Sequence, residues 1–175
     1  MSIILFCNNR VGLEVTRWLV SREEPIAALV VHPPGPKRRL AEEIIAAANL
    51  PAERVFDGSR LADEGVHRAI AALRPQTGVS ALFGYILPQR LLDCFPRGVI
   101  NLHPAYLPWN RGAHPNVWAL LDGTPAGVTL HYMDRGVDTG DIIARRRVDV
   151  LPSDTAQTLY ERLEAASLDP FREAR

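Results

Sequence analysis

Apolar residues in this chain come in short unbroken runs, separated by longer stretches where they recur every three or four positions. Ile3 to Cys7 is wholly apolar, without the in-out alternation of a half-exposed strand, so it reads as a strand covered on both faces, as in a parallel sheet. Val11, Val15, Trp18 and Leu19 then fall at helical spacing and end near Ser21. Ile26 to Val31 is a second buried strand, His32-Pro-Pro-Gly-Pro36 breaks the chain, and Arg39 to Asn49 returns to helix with Leu40, Ile44, Ile45 and Ala48 on one face. A short strand is expected near Arg54 to Phe56. A helix carrying Val66, Ile70 and Leu73 should stop before Pro75, and Val79 to Phe83 supplies the next strand. This alternation predicts an α/β fold with a doubly wound, mostly parallel open sheet and helices on both faces.

In such sheets ligands bind outside the carboxyl ends of the strands, which turns attention to the chain beyond Gly98. Gly98 to Pro104 begins as a strand and is stopped by proline. A loop from Ala105 to Pro115 follows, then a helix with Val117, Trp118, Leu120 and Leu121. Pro125 to Met133 alternates as a strand, Asp134 to Gly140 turns back through two glycines, and Asp141 to Val150 is a final strand before a helix over Thr155 to Ala166.

Composition narrows the class rather than the function. The chain has 175 residues, 47% hydrophobic and 23% charged, proportions of one ordinary globular domain. Its 20 basic and 20 acidic side chains cancel, so no global field favours nucleic acid or membrane, and specificity must come from a local site. No apolar run approaches the roughly 18 residues a membrane helix needs, and Met1 to Phe6 lacks a signal-peptide pattern, so a cytoplasmic location is expected. Cys7 and Cys94 lie in apolar surroundings and read as buried free thiols, and neither they nor the five histidines show metal-ligand spacing. No metal is expected.

The chemistry concentrates at three polar residues. Asn101 and His103 are two apart, so an extended backbone points both to one face. Attack on a carbonyl carbon generates a negative oxygen that an amide N–H such as that of Asn101 can stabilise. His103 is the side chain best matched to moving a proton near neutrality, and a carboxylate at Asp138 would orient its ring and favour its charged form. No serine or cysteine nucleophile accompanies them, which favours direct transfer to an incoming group over a covalent acyl-enzyme.

The string Asn-Leu-His-Pro-Ala-Tyr-Leu-Pro-Trp-Asn-Arg-Gly at 101–112, with Gly-Val-Thr-Leu-His-Tyr-Met-Asp at 127–134 and Gly-Val-Asp-Thr-Gly-Asp-Ile-Ile at 136–143, resembles the 10-formyltetrahydrofolate-dependent formyltransferases. The likeness is strongest from about Ala81 to Val150. It implies the family's Rossmann-like fold, 10-formyltetrahydrofolate as formyl donor with tetrahydrofolate as product, and Asn101, His103 and Asp138 as the catalytic trio. It also implies a folate site with Phe83, Gly84, Tyr85, Ile86 and Leu87 on one side and Val137, Asp138, Thr139, Gly140 and Asp141 on the other. Without the likeness, Ile86 and Leu87 would read as core.

Within the family the loop Tyr106 to Trp118 is most similar to members that formylate amino sugars on nucleotide carriers, so Tyr106, Trp109, Asn110 and Arg111 are expected to meet the acceptor. Members acting on tRNA carry a further C-terminal domain that 175 residues do not hold, so nucleic acid is set aside. Cys7-Asn8-Asn9-Arg10 lacks a glycine-rich phosphate turn, which disfavours glycinamide ribonucleotide. The chain reads as one catalytic domain, residues 1–175, trimmed at its C-terminus relative to the family. A hydrolase releasing formate, a carrier-bound aminoacyl formylation domain and a non-catalytic folate-binding protein remain as alternatives. Lys37, Arg38 and Arg39 read as a solvated cluster in a helix's first turn that could instead meet substrate phosphates, and His131 as a structural hydrogen-bonding residue. Acceptor identity and oligomeric state are not legible.

Overall fold

The computed structural model describes residues 2–174. Seven strands, β1 Ile3–Cys7, β2 Ile26–Val31, β3 Val55–Asp57, β4 Thr77–Ala81, β5 Val99–His103, β6 Ala126–Tyr132 and β7 Ile142–Val148, form one sheet in the order β3-β2-β1-β4-β5-β6-β7. The sheet is mostly parallel and open, the architecture expected from the alternating pattern. Among the described residues seven α-helices accompany it: α1 Asn9–Ser21, α2 Ala41–Ala48, α3 Glu64–Ala72, α4 Gln89–Leu92, α5 Pro115–Asp122, α6 Ala156–Ala166 and α7 Leu168–Glu173. The chain divides into two compact units, residues 1–100 and 101–175.

In the first unit β1 is the central strand, pairing parallel with β2 and β4, while β2 pairs parallel with β3. Every residue of β1 is buried, which explains its unalternating apolar sequence. Each such Ile, Leu or Phe contributes about 1.5–3 kcal/mol through burial. The apolar face of α1 buries Val11, Leu13, Val15 and Leu19. Sequence and structure differ in three details. β4 runs two residues earlier than expected, because Leu82 takes a left-handed φ of 48° and ends the strand before Phe83. The Lys37–Arg39 cluster lies in the loop before α2, not in its first turn. There Arg38 pairs with Glu42 and donates to the His32 carbonyl, while Lys37 and Arg39 are exposed. Cys7 is buried, and burial pushes its thiol up to about 12. Cys94 is only half-buried, because it follows the short α4 and its sulfur sits against His67 and the Arg90 carbonyl.

In the second unit β6 and β7 are antiparallel, with Thr129 opposite Arg145 and Gly127 opposite Arg147. Ala119 of α5, Ala126 of β6 and Leu159 and Leu163 of α6 form a core to which Leu120 and Val148 add. Thr155 starts α6 with a reciprocal cap: its hydroxyl accepts from the Thr158 amide, and the Thr158 hydroxyl accepts from the Thr155 amide. Such a cap is worth about 1 kcal/mol. The chain then continues helically as α7, through Pro170. That proline falls at the third position of the helix, where its missing N–H costs no intrahelical bond. Among the described residues no helix is long and apolar enough to cross a membrane.

Gly127 is required by close approach. A Cβ there would lie 2.3 Å from the Arg146 carbonyl oxygen and 2.8 Å from Tyr106 Cδ2. Gly127→Ala is expected to lower the unfolding free energy by about 1–3 kcal/mol through overpacking, measured by urea denaturation; a change within about 0.5 kcal/mol would contradict the packing described.

Candidate active site

β5 is extended through Asn101 and His103, and both side chains leave the same face, as their spacing requires. Pro104 ends the strand and opens the loop to α5. Asp138 comes from the turn between β6 and β7. That turn is organised by the Asp134 carboxylate, which accepts from the Gly136 amide at 2.9 Å and the Thr139 hydroxyl at 2.5 Å. Asp138 itself has a left-handed φ of 52°. A non-glycine residue in that region costs roughly 1–2 kcal/mol, so surrounding contacts must hold it.

Those contacts are the site. Asp138 Oδ2 accepts the Gly112 N–H at 2.8 Å and lies 3.4 Å from His103 Nε2. Asp138 Oδ1 lies 3.5 Å from both Asn101 Nδ2 and His131 Nε2. The three residues read from the sequence as a catalytic group are therefore brought together around one carboxylate. His103 Nε2 also lies 3.3 Å from the Asn110 carbonyl oxygen. Both neighbours of that nitrogen are acceptors, so Nε2 carries the hydrogen and Nδ1 is left with the lone pair.

His131, only 1% exposed, extends the network. Its Nδ1 lies 2.7 Å from the Tyr132 carbonyl oxygen and must donate to it. Its Nε2 lies 3.2 Å from Asn101 Nδ2 and 3.5 Å from Asp138 Oδ1. The Asn101 amide nitrogen is therefore flanked by His131 at the shorter distance and by Asp138 Oδ1 at the limit of hydrogen-bond distance. The weakly held N–H toward Asp138 is the one an incoming oxyanion can take. The structural hydrogen bond expected of His131 is present, and its second nitrogen orients Asn101 as well.

The electrostatics suit proton transfer. Burial pushes the His103 imidazole below its ordinary value of 6.5 and the His131 ring adds to this, while Asp138 and the Asn110 carbonyl oppose it. The ring is consequently neutral, and basic at Nδ1, at neutral pH. Burial pushes the Asp138 carboxyl up, but the His131 and His103 rings and the Gly112 N–H outweigh it and leave the group below its ordinary value.

The remaining expected residues fall as follows. In the second unit a cavity of about 260 Å³ beside Asp138 is lined by Leu107, Pro108 and Ile142 with Arg111, Thr139, Gly140 and Asp141. Asn110 donates from its side chain to Thr124 Oγ1 at 2.8 Å, and its main-chain oxygen, not its amide, faces His103. Tyr106 and Trp109 stack at 6.1 Å, with Trp109 exposed. Val137 is exposed. In the first unit Phe83 and Leu87 are buried and Ile86 is 82% exposed, so Leu87 packs as core whereas Ile86 does not. Phe83, Gly84 and Tyr85 surround the buried His32: its ring lies 4.7 Å from that of Tyr85, and its Nε2 meets the Phe83 carbonyl. The main-chain groups of Asn110 and Gly112 were missed by sequence reading, because backbone partners carry no side-chain signal.

A mostly parallel α/β fold thus carries an amide, an imidazole and a carboxylate that converge beside a glycine-bracketed turn. A family model described as formyl transferase matches residues 19–173, and the chain belongs to that family. It is 36% identical over 174 residues to the methionyl-tRNA formyltransferase of Syntrophus aciditrophicus, covering 97% of this chain and 56% of that one. Against the methionyl-tRNA formyltransferase of Geotalea daltonii it is 33% identical over 178 residues, covering 99% and 57%. The chain thus spans little more than half the length of these relatives, and its length carries no argument against a tRNA acceptor. Among solved structures, phosphoribosylglycinamide formyltransferase from Bacillus halodurans shares the fold, with a TM-score of 0.82 at 22% identity, covering 99% of this chain and 93% of that one. A formyltransferase from Anoxybacillus kamchatkensis, solved with UDP-4,6-dideoxy-4-formamido-L-AltNAc and tetrahydrofolate, matches at a TM-score of 0.67 and 29% identity, covering 99% and 74%.

Histidine NMR titration is expected to place His103 below 6.5, and lower still in Asp138→Asn, because removing the carboxylate leaves burial less opposed. A midpoint that rises or stays unchanged in Asp138→Asn would contradict the geometry.

Proposed function

We propose that the chain is a formyltransferase catalytic domain that moves a formyl group from 10-formyltetrahydrofolate to a primary amine, with Asn101, His103 and Asp138 as its catalytic residues. The observation that carries this reading is the Asp138 carboxylate within 3.5 Å of both the Asn101 amide and the His103 ring. The donor set suits a formyl group: a weakly held N–H for an oxygen gaining negative charge, and a neutral imidazole for an amine that must shed a proton. Polar backbone at Thr139 to Asp141, beside the cavity at Asp138, suits a hydrogen-bonding heterocycle. In the second unit Val137 to Asp141 are taken to meet the folate.

When bound, the folate supplies a formyl carbon already joined to a nitrogen leaving group. The chain's part is then electrostatic and protonic. Asn101 Nδ2 exchanges its long contact to Asp138 for the formyl oxygen, worth about 3–4 kcal/mol where such a donor is preorganised. His103 takes the amine proton at Nδ1, and the Asp138 carboxylate stabilises the imidazolium that results. Its Nε2–H stays anchored between Asp138 and the Asn110 carbonyl throughout, which keeps Nδ1 aimed at the reacting amine.

Two acceptor readings have separate support. The loop from Tyr106 to Trp118, and a structural neighbour holding a formylated nucleotide sugar, favour the amine of a nucleotide-linked amino sugar, met by Tyr106, Trp109, Asn110 and Arg111. The curated relatives favour the α-amine of methionyl-tRNA. Incubation with formyl donor and each acceptor in turn separates them, and formate released without any acceptor would identify a hydrolase instead. Asn101→Ala is expected to slow transfer about a hundredfold or more; turnover near that of the unsubstituted chain would defeat the assignment.

A further inference from the structure

Thr129 of β6 and Arg145 of β7 are direct cross-strand partners, and both reach the same residue of the loop above them. The Leu107 N–H donates to Thr129 Oγ1 at 3.1 Å, and the Leu107 carbonyl accepts from Arg145 Nη1 at 2.8 Å. The Thr129 hydroxyl in turn donates to the Ala105 carbonyl at 2.7 Å. The Arg145 guanidinium lies 4.5 Å over the Tyr106 ring, whose side chain stacks on Trp109. Three consecutive loop residues, Ala105, Tyr106 and Leu107, are therefore tied to one cross-strand pair. A cation over an aromatic face and a charge-assisted hydrogen bond to a carbonyl are each stronger than neutral contacts of the same shape.

A solvent-facing strand arginine ordinarily needs neither contact. Arg146, on the opposite face of β7, pairs instead with the carboxylates of Asp169 and Glu173. Arg145 turns its guanidinium to a backbone carbonyl and a ring, and the loop it grips delivers two main-chain groups to the site a few residues later. Those groups are the Asn110 carbonyl at His103 Nε2 and the Gly112 N–H at Asp138 Oδ2. A shift of the loop's base moves both. Errors of about 1 Å in such groups can cost a hundredfold in rate.

Resting on the formyl-transfer reading above, we infer that Arg145 is a positioning residue: with Thr129 it clamps Tyr106 and Leu107, and so sets the tautomer and aim of His103 and the placement of Asp138. The clamp acts through the loop, and Arg145 touches no reacting atom.

Two readouts test it, steady-state transfer and the imidazole nitrogen signals of His103 by NMR, the second needing no substrate. In the unsubstituted chain His103 is expected as the Nε2–H tautomer. In Arg145→Ala the tautomers should mix and kcat should fall at least tenfold with the KM for formyl donor changed less than twofold, a rise of about 1.4 kcal/mol in the activation barrier. Arg145→Lys keeps a cation over Tyr106 and one donor for Leu107, and should recover kcat to within about threefold. Arg147→Ala, two residues along β7, should change neither readout. An Arg145→Ala variant that keeps both the His103 signals and kcat, or that Arg145→Lys fails to rescue while folding normally, would overturn the inference. Should Arg145→Ala fail to fold, Arg145→Gln carries the same test, since it keeps a donor but not the charge. If the unsubstituted chain formylates no amine, the formyl-transfer reading fails on that result alone, and the His103 signals still decide for or against the clamp.

Discussion

The carboxylate of Asp138 is the group on which the rest of the site depends. It projects from a backbone conformation that an aspartate adopts only at a cost, and its two oxygens face different partners: Gly112 and His103 on one, Asn101 and His131 on the other. Without a negative group there, the His103 ring would lose the partner that balances its burial, and the Asn101 amide would lose its second acceptor. Burial works against the charge on Asp138, and the surrounding donors overcome it. A buried carboxylate kept ionised in this way stabilises positive charge appearing beside it, as happens when an imidazole takes up a proton.

The fold makes that convergence possible by changing its rhythm. The first unit is built of short parallel strands, fully buried at β1 and buried over most of β2 and β4, which leave little room for polar side chains within them. At β5 polar residues enter the strand itself, at two alternate positions of one face. β6 and β7 then join by an antiparallel turn rather than through a helix, so a loop tip carrying Asp138 can reach back to β5. The loop from Ala105 to His114 reaches His103 and Asp138 through backbone groups, and the β6–β7 pair holds it through Thr129 and Arg145.

Much of this was legible in the residues. Unbroken apolar runs marked buried strands, and the two-residue spacing of Asn101 and His103 put their side chains on one face. Where reading fell short, the causes were local and physical. Leu82 ended β4 through a left-handed φ that composition does not announce. Cys94 looked like core because its neighbours are apolar, yet it follows a helix of a single turn that leaves it half-exposed. The Asn110 carbonyl, the Gly112 amide and the grip of Arg145 on Leu107 are tertiary contacts of main-chain atoms, for which the sequence holds no pattern.

If one carboxylate unites the proposed catalytic residues, their effects on rate should not be independent. The direct test is a double-mutant cycle on formyl transfer with Asn101→Ala, Asp138→Asn and the pair together, measured as kcat under saturating donor. Groups acting as a unit predict that the double variant is scarcely slower than the worse single one. Losses that multiply in full would mean that the two residues act separately, and would contradict a site organised around Asp138.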